Sequence, residues 1–217
     1  MAYQKEKIKA YVFDLDGTLL NSMCVWEEVL LGYLNEKKVA YPPTIMRDIS
    51  ALGLYKTCAY LQEHYLPQDT ADGLFAMFTQ RMKEQYDHFI PLKPNAENLL
   101  LALKQRGVLL CALTAGVHYL FDGCLQRLGV AKYFDYIWST EDFGLKKTDP
   151  TIYLQVAEKL GVAPRECVMV DDNLNALKTA KSVGFQTIGV FDEVERAAES
   201  AMTETADLYI RDFSKLI

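Results

Sequence analysis

Two carboxylates in the segment VFDLDGTLLNS are the first residues whose type and spacing suggest chemistry. Asp14 and Asp16 lie one residue apart at the end of a short apolar run, and Gly17 follows them. A carboxylate oxygen can serve as a nucleophile, and a neighbouring carboxyl group can supply and remove protons. Glycine lets the chain turn sharply, which leaves nearby backbone amides free to face an anion. The pair therefore predicts a catalytic centre, provided that the fold brings further polar groups to it.

Apolar runs and helical stretches alternate along most of the chain, which indicates how such groups are positioned. KAYVFDLDGT is typical of a strand buried on both faces of a parallel sheet, because its apolar residues are nearly continuous. Further β-like runs follow from residue 92 onward, separated by helical stretches that often end at a glycine. These runs are VLLCALT, YIWST, CVMVD, TIGVF and a weaker LYI. The alternation predicts an α/β fold with a doubly wound parallel sheet covered by helices on both faces.

A long stretch after the first strand has a different period. Between residues 21 and 91, apolar residues recur at three- and four-residue steps, as at Phe78 and Met82, and prolines break the pattern into three or four helices. The sequence therefore predicts two domains. Residues 1–20 and 92–217 form the α/β core, and residues 21–91 form an inserted α-helical cap domain. We expect the cap to be mobile and to exclude bulk water during the reaction.

Polar residues follow several of the predicted strands. Thr114 comes after the second strand, Lys147 lies in the loop after the third, and Asp171 and Asp172 come after the fourth. In an open parallel sheet, ligands bind beyond the carboxyl ends of the strands. The fold is therefore expected to bring these residues to the acids that follow the first strand, although they are far apart in sequence.

Several acids, a lysine and a hydroxyl at one place predict phosphoryl transfer assisted by Mg²⁺. Magnesium prefers carboxylate, water and phosphate oxygens, whereas zinc sites use clustered histidine and cysteine ligands. Asp14 can attack phosphorus to form an aspartyl-phosphate. Asp16 can protonate the leaving alkoxide and then deprotonate the attacking water. Thr114 and Lys147 can bind the oxygens of the transferring group.

Four segments of the chain resemble, in order, the four motifs of the haloacid dehalogenase superfamily of phosphohydrolases. They are DLDGTLLNS, LLCALTAG, LKKTDPTIY and VMVDDNLNALKTAKSVG. Because the helical insert follows the first motif, the chain most resembles the subgroup that contains phosphoglycolate phosphatases and β-phosphoglucomutases. The resemblance covers essentially the whole chain and implies a Rossmann-like core with a helical cap.

The resemblance also implies a role for each residue that matches a motif. Asp14 is the nucleophile and Asp16 the general acid and base, while Thr114 and Lys147 contact phosphate. The implied ligands of Mg²⁺ are Asp14, the Asp16 carbonyl group and Asp172, with Asp171 assisting. The implied substrate-binding residues are Thr18, Ala115 and Gly116. Lys146 remains an alternative to Lys147, although alignment to the family's KxDP pattern favours Lys147.

We therefore expect a Mg²⁺-dependent phosphatase that acts on a small phosphorylated metabolite, and a phosphomutase using the same intermediate is the alternative. The presence of Asp16 disfavours a dehalogenase, because carbon–halogen displacement produces no leaving alkoxide and needs no acid to protonate one. A signalling receiver domain places its acidic pair after the first strand and lacks a helical insert of this size. A catalytically silent binding protein remains open, and turnover of an aryl phosphate with magnesium would exclude it.

Composition limits the partners and the compartment. The formal net charge of −6 argues against a nucleic-acid-binding surface. No apolar run approaches the roughly 20 residues that span a bilayer, and the five cysteines contain no C-x-x-C pair. We therefore expect a cytoplasmic protein with reduced thiols that binds neither nucleic acid nor membrane. We expect it to be a monomer or a weak homodimer.

Overall fold

The computed structural model describes residues 3–49 and 52–217, and its centre is a six-stranded parallel sheet. The strands are β1 (Ala10–Phe13), β2 (Leu109–Thr114), β3 (Tyr136–Ser139), β4 (Cys167–Asp171), β5 (Gln186–Val190) and β6 (Leu208–Ile210). Their order across the sheet is β3-β2-β1-β4-β5-β6, and every neighbouring pair is parallel. The order reverses at β1, which lies between β2 and β4. This topology confirms the predicted α/β fold with a doubly wound parallel sheet.

Nine α-helices lie in the described ranges. They are α1 (Met23–Glu36), α2 (Ile45–Ile49), α3 (Leu54–His64), α4 (Ala71–His88), α5 (Ala96–Gln105), α6 (His118–Arg127), α7 (Pro150–Leu160), α8 (Leu174–Ser182) and α9 (Glu199–Thr205). None of these described helices has the length and apolarity needed to cross a membrane.

The chain forms two compact units. One consists of Met1–Met23 together with Ile90–Ile217, and the other is Cys24–Phe89. The described part of the second unit is helical and contains no strand, as its apolar period predicted. Its interior includes an edge-to-face pair between the rings of Tyr33 and Phe78, whose centroids lie 5.5 Å apart.

The strands of the first unit are apolar because both faces of the sheet are covered. On one face, Val12 packs in a core with α7, α8 and α9. On the other face, the rings of Tyr11 and Phe13 are fully buried and stack with centroids 5.9 Å apart. Alternate residues of a strand point to opposite faces, so a strand in this position needs apolar residues throughout. Asp14, the residue that follows β1, is charged and lies at the edge of the sheet.

Local signals in the sequence determine where α7 and α8 begin. The Asp149 carboxylate accepts a hydrogen bond from the Thr151 N–H at 2.9 Å, with Pro150 in the first turn. This is the cap that an Asp-Pro pair predicts. In α8 the capping side chain is Asn173, which accepts bonds from two backbone amides of the first turn. The preceding acids, Asp171 and Asp172, are therefore not the caps of α8.

Candidate active site

The pairing of β1 with β4 brings three carboxylates together at the carboxyl ends of these strands. The Asp14 N–H donates to the Val170 carbonyl oxygen at 2.9 Å, which places Asp14 beside the end of β4. One oxygen from each of Asp14, Asp171 and Asp172 lies within 4.8 Å of the other two. All three side chains are buried. Residues from distant parts of the sequence therefore meet where the sheet topology predicted.

Lys147 lies between two of these carboxylates. Its ammonium group hydrogen-bonds to Asp14, and it donates to Asp171 Oδ2 at 2.9 Å. Tyr153 supports the loop that carries the lysine, since its hydroxyl oxygen lies 3.0 Å from the Lys147 carbonyl oxygen. Lys146 is exposed. Of the two adjacent lysines, Lys147 is therefore the one that reaches the acidic group.

Burial and mutual repulsion raise the pKa values of Asp14 and Asp172. Burial raises the pKa of Asp14 from 3.8 to about 7, even though the Lys147 ammonium lowers it. Burial, together with the charges of Asp171 and Asp14, raises the pKa of Asp172 well above its ordinary value. Burial alone would lower the pKa of Lys147, but its two carboxylate neighbours raise it. The site therefore holds more negative charge than one ammonium group balances.

Thr18 holds Asp172 in place. Its hydroxyl donates to Asp172 Oδ1 at 2.7 Å, and the Asp172 backbone N–H donates to the same hydroxyl oxygen at 3.0 Å. Thr18 is fully buried. Its hydroxyl therefore both donates a hydrogen bond to Asp172 and accepts one from it. The family resemblance implied a substrate contact for this residue.

Gly17 permits the close approach of this loop to Asp172. Its φ of +78° lies in the left-handed region, and a Cβ atom at this position would lie 2.4 Å from Asp172 Oδ2. Both the backbone conformation and the contact therefore exclude a side chain here. The glycine of the DLDGT segment is required by packing as well as by the turn.

A second group of polar residues surrounds Asp16. The buried Ser22 hydroxyl donates to Asp16 Oδ1 at 2.7 Å. A Cβ atom at Gly116 would lie 3.3 Å from both Asp16 Oδ2 and Thr114 Oγ1, so the loop after β2 closely approaches Asp16. The Thr114 hydroxyl accepts a bond from the Gly116 N–H at 3.0 Å. Thr114 therefore stabilises this loop and is not the N-cap of α6, which is Val117.

The predicted site residues thus fall into two adjoining groups. Asp14, Thr18, Lys147, Asp171 and Asp172 form the acidic group, while Asp16, Thr114 and Gly116 form the second. Ala115 is exposed and has no polar side chain, so only its backbone can bind an anion. The side chain of Asp16 is not in the acidic group, and the family resemblance implied its carbonyl oxygen as the metal ligand.

Sequence reasoning missed three supporting residues. Ser22 contacts Asp16, Ser139 donates to the Gly116 carbonyl oxygen at 2.7 Å, and Lys93 contacts the Gly17 carbonyl oxygen. Only Ser22 had a signal, because it follows Asp16 closely in the same turn. The other two contacts join distant loops, and neither periodicity nor spacing marks them.

The acidic group fits a hard divalent cation. Its donors are carboxylate oxygens only, they converge within 4.8 Å, and burial raises the pKa values of Asp14 and Asp172, so their ionised forms need further positive charge. Such a set suits Mg²⁺ better than zinc or copper. Asp14 and Asp172 would hold the cation, with Asp171 at their side.

Comparisons with known proteins identify the family of this chain. The model of a family described as haloacid dehalogenase-like hydrolase matches residues 8–184. A phosphoglycolate phosphatase from Neisseria meningitidis is 30% identical over 192 residues, which cover 85% of this chain and 81% of that protein. The crystal structure of CbbY from Rhodobacter sphaeroides in complex with phosphate has a TM-score of 0.77, with 23% identity and 96% of each chain covered.

A further solved structure extends the comparison. The β-phosphoglucomutase from Clostridium difficile has a TM-score of 0.73 and 17% identity, with 97% of this chain and 93% of that chain covered. At these identities the two solved structures show a shared fold, and the family match spans most of the chain, including Asp14, Thr114, Lys147 and Asp172. The chain therefore belongs to the haloacid dehalogenase-like hydrolases, a family of enzymes.

Proposed function

We propose that this protein is a Mg²⁺-dependent phosphatase that hydrolyses a small phosphorylated metabolite through an aspartyl-phosphate on Asp14. The observation that carries the proposal is the position of Asp14. Its carboxylate contacts the Lys147 ammonium and converges with Asp171 and Asp172 at the carboxyl edge of the sheet. The phosphoglycolate phosphatase named above supports hydrolysis as the reaction.

Asp14 is the nucleophile in this proposal. One of its carboxylate oxygens forms a bond to phosphorus while the bond from phosphorus to the leaving oxygen breaks. Lys147 already contacts Asp14, so its positive charge lowers the repulsion between this carboxylate and an incoming phosphate. The same ammonium can then bind an oxygen of the transferring group, where charge develops.

Asp16 is the general acid in the first half of the reaction and the general base in the second. It donates a proton to the leaving alkoxide, and it then removes a proton from the water that attacks the aspartyl-phosphate. The Ser22 hydroxyl donates to Oδ1 of Asp16, which orients the carboxyl group and leaves Oδ2 on the side of Gly116. The backbone around Ala115 and Gly116 then binds the phosphate oxygens, and Thr114 keeps that loop in shape.

Magnesium, when bound by Asp14, the Asp16 carbonyl group and Asp172, supplies positive charge that stabilises the transferring phosphoryl group. Thr18 serves this site by orienting Asp172, and we propose that role for it in place of a substrate contact. Asp171 accepts bonds from Lys147 and from the Asn173 N–H, and so fixes the lysine.

A phosphomutase is the second candidate, because the chain shares its fold with a β-phosphoglucomutase. Both reactions use the same phosphorylated aspartate. In a mutase the phosphoryl group passes to a hydroxyl of the bound sugar before water removes it. Stoichiometric release of inorganic phosphate supports the phosphatase, whereas an isomeric phosphorylated product with little phosphate release supports the mutase.

A generic aryl phosphate tests the proposal. We expect steady phosphate release that requires Mg²⁺ and that Asp14→Asn abolishes. Asp207→Asn is the matched control, because Asp207 is also buried and also pairs with a lysine, and it contacts Lys181 and Thr187 away from the acidic group. Turnover that survives both removal of Mg²⁺ and Asp14→Asn would refute the proposal.

We also propose a cytoplasmic location, no nucleic-acid or membrane partner, and a monomer or weak homodimer as the working state. The location is supported by the five cysteines, which form no disulfide in the described part of the chain. We propose that residues 21–91 act as the cap domain of the enzyme.

A further inference from the structure

We propose that Lys93 is a positioning residue that holds the Gly17–Thr18 turn and, through Thr18, the metal ligand Asp172. The inference rests on the proposed function, because it concerns how the Mg²⁺ site is kept in shape. It assigns a role to a buried ion pair that lies outside the acidic group and that no motif in the sequence marks.

Lys93 is a buried cation whose donors are all engaged. Its ammonium group hydrogen-bonds to the Gly17 carbonyl oxygen, donates to the Phe191 carbonyl oxygen at 2.8 Å, and pairs with Asp192 Oδ2 at 2.8 Å. The side chains of Lys93 and Asp192 are only 12% and 6% exposed. An ammonium group has three N–H donors, and three acceptors surround this one. Lys93 therefore has no donor left for a substrate phosphate, and its contacts are with the protein alone.

The backbone aims this ammonium group at the turn. The Lys93 N–H donates to the Leu19 carbonyl oxygen at 2.8 Å, and the Asn21 N–H donates to the Pro91 carbonyl oxygen at 3.0 Å. The segment before α5 thus runs alongside the segment that follows Gly17. Lys93 thus contacts Leu19 through its backbone and Gly17 through its ammonium group, so it can restrain the turn that contains these two residues.

The restrained peptide leads directly to the metal ligand. Gly17 has the left-handed φ of +78°, and glycine is the residue with the most backbone freedom. The Thr18 N–H of the Gly17–Thr18 peptide donates to the Leu15 carbonyl oxygen at 3.2 Å, and the Lys93 ammonium group holds the Gly17 carbonyl oxygen on the other side of this peptide. The next residue is Thr18, whose hydroxyl binds Asp172. A small rotation of the Gly17–Thr18 peptide would displace that hydroxyl and release the carboxylate.

The ion pair also joins parts of the sheet that are not neighbours. Phe191 and Asp192 follow β5, whereas Gly17 follows β1, and β4 lies between these two strands. Asp172 follows β4. Lys93 therefore bridges the two loops on either side of the loop that carries the metal ligand.

The test separates this role from simple stabilisation. Lys93→Met alone leaves the Asp192 carboxylate buried without a cation, which destabilises a protein whatever the role of the lysine. The double variant Lys93→Met/Asp192→Leu removes both charges and leaves the Gly17 carbonyl oxygen without its donor. We expect this variant to fold but to need roughly three- to tenfold more Mg²⁺, which is less than the tenfold to hundredfold effect of removing a direct partner of a metal ligand, because Lys93 acts on Asp172 only through Thr18.

Mg²⁺ alone is the probe, and its affinity is read from the midpoint of the thermal shift during a Mg²⁺ titration of the full chain. The turnover number at saturating Mg²⁺ should fall by no more than about threefold, because Asp14 and Lys147 keep their own contacts. Lys181→Met is the matched control. Lys181 also pairs with a buried aspartate, at 2.8 Å, and donates to a backbone carbonyl oxygen, but it contacts Asp207 and Thr205. This control should lower the melting temperature and leave the Mg²⁺ midpoint within about twofold of wild type.

An unchanged Mg²⁺ midpoint in the double variant would overturn the inference while leaving the proposed function intact. An equal shift in Lys181→Met would overturn it as well, since any loss of an ion pair would then have the same effect. Absence of a Mg²⁺ response in the wild-type protein would overturn both the inference and the metal dependence of the proposed function.

Discussion

The raised pKa of Asp14 predicts how the stability of the metal-free protein depends on pH. Burial moves this pKa from 3.8 to about 7 in the folded protein. The folded state therefore holds the proton more tightly than the unfolded state does. The associated stabilisation is complete below about pH 3.8 and is lost as pH rises through about 7.

The size of the effect follows from the shift. Each pKa unit corresponds to about 1.4 kcal/mol, so moving from pH 5 to pH 8 costs the wild-type protein roughly 2 to 3 kcal/mol of unfolding free energy through Asp14 alone. Asp14→Asn removes the titrating group. It also removes the charge that helps to raise the pKa of Asp172. The unfolding free energy of this variant, relative to wild type, should therefore increase by at least roughly that amount between pH 5 and pH 8.

Urea denaturation of both proteins in EDTA measures this difference. The pKa of His118 is also raised, mainly by its hydrogen bond to Asp142, but His118 is present in both proteins and its contribution cancels in the comparison. Saturating Mg²⁺ should remove the wild-type loss at pH 8, because the cation binds the ionised carboxylates. A difference between the two proteins that stays constant from pH 5 to pH 8 would refute the idea that Asp14 is buried with uncompensated charge.

Three further predictions concern individual contacts. Thr18→Val removes the hydroxyl from Asp172 and should raise the Mg²⁺ concentration for half-maximal activity about tenfold, as measured by titration of activity. Gly17→Ala places a Cβ atom 2.4 Å from Asp172 Oδ2 at a φ of +78° and should reduce both the melting temperature and turnover, whereas wild-type values would contradict the close approach of this loop to Asp172. Lys147→Met should lower the turnover number at least about a hundredfold, while Lys146→Met should leave it within about twofold, and equal effects in a phosphatase assay would count against the role of Lys147.

The fold could be predicted because its pattern is local. AYVF is apolar at every position, as the two covered faces of the sheet require, and Asp149 with Pro150 marks the start of α7. The positions of Asp14, Thr114 and Asp171 followed from one rule, that parallel strands share the edge where ligands bind. These predictions needed no knowledge of which side chains touch.

The contacts within the site could not be predicted in the same way. Thr18 binds Asp172 across 154 residues, and Lys93 reaches Asp192 through a loop that carries no periodic signal. Such contacts depend on the paths of loops, which hydrophobic periodicity does not describe. Thr18 is an example, because its hydroxyl binds Asp172 and its motif gave no sign of this contact.

The most direct test of the central claim is the detection of a phosphoryl group on Asp14. The enzyme would be mixed with substrate and Mg²⁺, quenched with acid within a single turnover, and digested for mass spectrometry. We predict a phosphoryl adduct on the peptide that contains Asp14, and no adduct in Asp14→Asn or in EDTA. Turnover without any adduct on this peptide, or with the phosphoryl group on another residue, would contradict the account.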